Sequence, residues 1–156
     1  MGQQQLLLIV LGVIIVGIAI AVGISMFKSN AQTSNRDQLI NDLNNLAAKA
    51  EQYFRKPVAM AGGGQSFAGF HIAPVDSSNG NGEYTVSNNV ATAPSAFSGI
   101  TNYGGNAGGD NATPPAVTDT VLYICGWGTE VGNDGTHKVQ AYVTVTNNAI
   151  VASVVN

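Results

Sequence analysis

The sequence predicts an α+β protein. A long N-terminal helix, hydrophobic in its first half and amphipathic in its second, carries a small antiparallel β-sheet head packed on the amphipathic half. Three observations lead there. Residues 6–24 form an apolar run without a single charge. Residues 39–54 carry one apolar stripe at helical spacing. After Pro57 the composition shifts to Gly, Asn, Ser and Thr, with short alternating segments that read as strands.

The apolar run, LLLIVLGVIIVGIAIAVGI, holds nineteen residues. At about 1.5 Å per residue it spans about 28 Å, close to the roughly 30 Å hydrocarbon thickness of a bilayer. The preceding MGQQQ has no Lys or Arg, and the run is long for a signal-peptide core, so it reads as a retained helix and not a cleaved signal. Within it, Gly12, Gly17 and Gly23 stand out with Ala19 and Ala21. Gly17/Ala21 and Ala19/Gly23 are small-xxx-small pairs that let helix backbones approach closely in an apolar medium. The expected assembly-helix packing set is Leu6, Leu7, Gly12, Gly17, Ala19, Ala21 and Gly23. The same glycines weaken a helix, so local unwinding near Gly17 or Gly23 is an expectation too.

A short polar joint at 25–34 leads into the second half. Leu39, Ile40, Leu43, Leu46, Ala47, Ala50, Tyr53 and Phe54 line one face, with Arg36, Asp42, Lys49 and other polar residues between them. Leu39, Leu43, Leu46, Ala50 and Phe54 are the predicted head–stalk core. Pro57 ends the helix, because it lacks an N–H donor and disfavours helical geometry in the residue before it. The rod over 6–57 would be about 77 Å long, far more than a head of about 100 residues can enclose. The predicted divisions are therefore 1–30, a hydrophobic membrane and assembly helix; 31–57, an amphipathic stalk helix; and 58–156, a β-rich globular head.

In the head, GGG at 62–64 predicts a flexible exit from the helix, and Phe67, Phe70 and Ile72 a first strand folded back on the stripe. SSNGNG (77–82) reads as a turn, and 83–87 as a strand. Residues 88–115 read as a long loop with strand pieces near 96–100. Strands follow at 120–126, 138–146 and 149–155, with turns at 133–135 and at Asn147-Asn148.

Net charge is −3 but unevenly spread. Residues 28–57 hold five bases against three acids, and residues 58–156 one base, Lys138, against six acids. A basic stalk and an acidic head favour seating heads on neighbouring stalks. No Lys/Arg cluster supplies a nucleic-acid surface. A lone cysteine, Cys125, excludes an intrachain disulfide and reads as a buried small hydrophobe.

Catalytic and metal patterns are missing from the sequence. His71 and His137 are isolated, and no CxxCH, P-loop or EF-hand spacing occurs. GQSFA at 64–68 lacks the strand-to-helix setting of a nucleophile elbow. Residues 76–83 are rich in oxygen ligands without calcium-loop spacing. Asn111 heads a glycosylation sequon. No aromatic precedes Phe27, which excludes conduction through stacked rings along the apolar half. The expectation is no cofactor, no metal and no enzymatic activity.

An apolar helix continuing into an amphipathic one, then a small β-rich head, resembles type IV pilins and pseudopilins. Gly2 resembles the glycine before the prepilin peptidase cut, and AAKAEQYFRKP resembles the end of a pilin stalk. Most bacterial pilins carry a glutamate as fifth mature residue, paired with a neighbour's N-terminal amine. Counted from Gln3 that position is Leu7, and no acid occurs before Asp37. Register would rest on small residues and on neutral hydrogen bonds from Gln3, Gln4 and Gln5. The resemblance implies a divergent structural subunit of an extracellular helical filament, a homopolymer. It would wait in the inner membrane until assembly machinery extracts it to the cell surface. The alternatives are a monomeric membrane-anchored exported domain and a minor pseudopilin of a secretion system.

Overall fold

In the computed structural model, residues 2–87, 120–132 and 135–155 are described. The predicted loop at 88–115, the strand pieces near 96–100, the Asn111 sequon and most of the turn at 133–135 lie outside them. The order is α1 (Gly2–Arg55), a 3₁₀ turn (Val58–Met60), then β1 (Gly82–Ser87), β2 (Val121–Val131), β3 (Lys138–Thr146) and β4 (Ile150–Val154). The strands form one antiparallel sheet in the order β1-β2-β3-β4, and the amphipathic half of α1 lies across one face of it. The predicted α+β class is the one observed.

α1 is 54 residues of uninterrupted α-helix, about 80 Å long. It passes through the polar joint and through Gly12, Gly17 and Gly23 without unwinding. It ends two residues before Pro57. The GGG segment is not a flexible exit. It folds under the helix end and supplies donors to carbonyls that the helix leaves unpaired: Gly63 N–H to Tyr53 O (2.8 Å), Gly64 N–H to Lys56 O (3.0 Å) and Gln65 N–H to Phe54 O (2.8 Å). At Gly63 a Cβ would lie 1.8 Å from Ser66 O, so the close turn needs glycine.

Leu39, Leu43, Leu46, Ala47 and Ala50 pack against Tyr84, Val86, Leu122, Ile124, Val139, Ala141, Val143 and Val145, all buried. Phe54 is half-buried at the lower end of this core and stacks at a tilt on Phe67, ring centres 4.7 Å apart; Tyr53 meets Phe70 at 5.5 Å. Phe67, Phe70 and Ile72 are in the core as expected but do not form a strand. Their segment turns on itself, with Phe70 N–H donating to Phe67 O and Gly69 at φ 76°. The aromatic side chains plug the end of the core from a coil.

β2 runs five residues beyond the expected end at Gly126. Gly126 and Gly128 look like strand breakers, yet here they mark close approach of the helix. A Cβ on Gly126 would meet Leu39 Cδ1 at 3.1 Å, and one on Gly128 would lie 2.0 Å from Asn35 Oδ1. The β2–β3 register shifts between Trp127 and Val131, a bulge that loosens the ladder where the hairpin leaves the core. The opposite face of the sheet has its own cluster, Cys125 and Trp127 with Tyr142 and Val155. The turn at Asn147-Asn148 is closed by Thr146 N–H to Ala149 O, 2.9 Å.

Candidate assembly and membrane surface

Among the described residues, Gln32 is the first on α1 with a hydrogen bond to the head. Sixteen large apolar side chains between Leu6 and Phe27 are exposed, Phe27 most of all at 82%. Covering a Leu, Ile or Val is worth about 1.5–3 kcal/mol, so the uncovered set amounts to tens of kcal/mol, against a typical folding stability of about 5–15 kcal/mol. Water is therefore a costly medium for this half. The helix is long and apolar enough to cross a membrane and is compatible with anchoring there. Leu6, Leu7, Gly12, Gly17, Ala19, Ala21 and Gly23 all lie on this bare rod. A Cβ on Gly12, Gly17 or Gly23 would meet nothing within 4 Å, so these small positions are open to a neighbour.

A polar collar marks where the rod enters the head. Gln32 Nε2 donates to Val131 O and to Gly132 O, the latter at 3.1 Å. Asn35, 4% exposed, donates from Nδ2 to Asn81 O (2.8 Å) and Thr129 Oγ1 (3.3 Å), and its Oδ1 accepts from Glu130 N–H (3.3 Å). Glu130 sits in the bulge, so Asn35 supplies the acceptor that the interrupted ladder does not. Neither residue was singled out from sequence. The signal for Asn35 was its place one turn before Leu39 on the apolar stripe, where an amide can be buried only if its hydrogen bonds are met.

A second polar site ties the segment before β1 to the helix. Asp42 Oδ2 accepts from Asn79 Nδ2 (2.9 Å), Asn81 Nδ2 (2.8 Å) and Tyr84 Oη (2.7 Å). Burial pushes the Asp42 carboxyl up, but these three donors outweigh it, and its pKa lies below the ordinary value. Burial, and then the Asp42 hydrogen bond and charge, raise the Tyr84 phenol. Lys49 pairs with Asp76 at 2.6 Å on the rim of the shallow groove beside them. The three donors converge on Oδ2 of the carboxylate, which makes the arrangement a latch. Among the described residues no group of three His, Cys, Asp or Glu side chains could hold a metal ion.

Among the described residues no strand pairs with the outer edge of the sheet at β4. β4, IVASV, has no charge and no proline, and Ile150, Val151 and Val154 are exposed. Its inward groups are paired to β3, as in Val155 N–H to Gln140 O, 2.9 Å. By contrast, β1 is closed along its first half by its own preceding turn, through Tyr84 N–H to Ser77 O and Asn79 N–H to Gly82 O. An exposed apolar edge is a template for contact with another chain.

Long apolar helix and small antiparallel sheet together are compatible with a pilin-like fold. Comparison with protein families, curated proteins and solved structures returns no match to this chain.

Proposed function

We propose that this protein is a structural subunit of an extracellular type IV pilus-like filament, polymerised through its N-terminal helix. The observation that carries this reading is the unbroken rod whose apolar half none of the described residues covers. Held in the inner membrane as a monomer, the rod is solvated by lipid. On extraction by assembly machinery, equivalent helices of neighbouring copies replace the lipid. Apolar burial favours neither state, so the preference comes from packing, which Gly17, Ala19, Ala21 and Gly23 permit by bringing backbones close. Many weak contacts along one rod then act together. The basic stalk, the acidic head and the bare β4 edge support lateral contacts between heads. In this reading the protein performs no catalysis, binds no cofactor and has no nucleic-acid partner.

Material sheared from cells should contain the protein as uniform fibres, and Gly17→Leu should abolish them while the head's melting curve stays unchanged. Recovery of the wild-type chain only as monomer in membranes would instead establish an anchored exported domain. Normal fibres from Gly17→Leu would remove the small-residue argument.

A further inference from the structure

Arg36 has no partner in the head it stands beside. Its Nε is buried without a hydrogen-bond acceptor, and among the described residues no carboxylate pairs with its guanidinium. A buried donor left unsatisfied costs stability, and a charged one costs more, so the group calls for an acceptor from outside the chain.

The direction of that acceptor follows from the helix. Asn35, Asp42 and Lys49 share the flank that meets the segment before β1, through Asn81, Asn79 and Asp76. Arg36 lies about 120° around the helix from Asp42, on the other flank. The sheet order puts β4 on that other side. Gly126 lies beside Leu39 and pairs with Ala141, which pairs with Val154, so Val154 stands at the level of Leu39, three residues from Arg36. One side of the subunit therefore carries both the unpaired arginine and the exposed apolar side chains of β4.

The complement lies on the opposite side. The groove of about 590 Å³ beside the latch is lined by Asp42 and Asp76 against one cation, Lys49. All three latch donors bind Asp42 Oδ2, and among the described residues no hydrogen bond reaches its Oδ1. Val75, 87% exposed, lines the same groove and offers an apolar contact to the β4 side chains.

We infer that the Arg36 and β4 side of one subunit docks on the groove of a second copy, with the guanidinium between Asp42 and Asp76. This deepens the filament reading and rests on it. Symmetric pairings are disfavoured. β2 runs antiparallel to α1, as its contacts at Leu39, Asn35 and Gln32 show, and so does β4. Antiparallel β4–β4 pairing would point the two apolar rods in opposite directions, which copies drawn from one membrane cannot do. A two-fold axis along the rods would set Arg36 against Arg36. The remaining contact joins unlike surfaces of parallel rods, and such a contact propagates without closing. Asp42 and Lys49 lie six and thirteen residues beyond Arg36, so neighbouring rods would be staggered by about 9–20 Å.

The test uses the full chain in cells, with sheared fibre yield as one readout and the melting curve of the monomer in detergent, followed by Trp127 fluorescence, as the other. Arg36→Met keeps the apolar stem and removes the orphan donor. It should leave the melting curve unchanged or raised and cut fibre yield several-fold. Arg36→Asp and Asp76→Arg should each lose fibres, and the double variant should regain them. A lowered melting curve for Arg36→Met would show that the residue serves its own head, and would overturn the inference. So would wild-type fibre yield from Arg36→Asp, or a folded double variant without fibres. Absence of fibres from the wild type would overturn the filament reading and the inference with it.

Discussion

Replacing Gly128 by alanine is the sharpest probe of how the head is fastened to the rod. The new Cβ would lie 2.0 Å from Asn35 Oδ1 and 3.2 Å from Val139 Cβ. The first distance is impossible, and the Asn35 amide is the group that must give way. Moving it forfeits its bonds to Asn81 O, Thr129 Oγ1 and Glu130 N–H in a place where Asn35 is 4% exposed and water does not compensate. Three hydrogen bonds at about 0.5–1.5 kcal/mol each, two of them long, come to a loss of about 2–4 kcal/mol. With a urea slope near 2 kcal/mol/M, the midpoint should fall by about 1–2 M. Asn35→Ala forfeits the same bonds and should cost a similar amount. Once Asn35 is alanine the obstruction is gone, so adding Gly128→Ala should cost less than about 1 kcal/mol more. The assay is equilibrium unfolding of the full chain in detergent micelles, read by the fluorescence of the sole tryptophan, Trp127, which is buried on the outer face of β2. A double variant whose cost equals the sum of the singles within about 0.5 kcal/mol would refute the collar.

Leu43 is fully buried between helix and sheet, so Leu43→Ala should cost about 2–5 kcal/mol and Leu43→Asp should unfold the head; an unchanged melting curve for either would refute the stripe-on-sheet packing. Asp42 has its pKa held below 3.8, so its contribution is present above that value and is lost as pH falls through the lowered folded value. The wild type should therefore lose more stability than Asp42→Asn between neutral pH and about pH 3, as measured by urea midpoints; parallel losses would show that the latch carries no linkage. Burial pushes the Cys125 thiol up to about 12, so alkylation at mildly alkaline pH should proceed no faster than unfolding of the head, and rapid labelling of native protein would contradict its burial.

What the sequence by itself determined is what contiguous periodicity encodes. An uncharged run of nineteen residues has only one way to satisfy its backbone in an apolar medium, which is as a helix. Leu39, Leu43, Leu46 and Ala50 share a face because 3.6 residues make a turn, whatever covers them. The alternation of Val139, Ala141, Val143 and Val145 likewise fixes which side of β3 is apolar. The residues that fasten rod to head were decided only by the tertiary structure. Gln32 and Gly132 are 100 positions apart, and Asn35 and Asn81 are 46 apart, so no local pattern links them. Gly126 and Gly128 read locally as interruptions, and only the helix lying against them makes their lack of a side chain the condition for β2 to continue. Phe67, Phe70 and Ile72 were legible as core but not as coil, since hydrophobicity reports burial while their backbone bonds follow the turn at Gly69. Bare rod and folded head thus come from short-range pattern, and the collar that sets one at a fixed height on the other comes from contacts between distant residues.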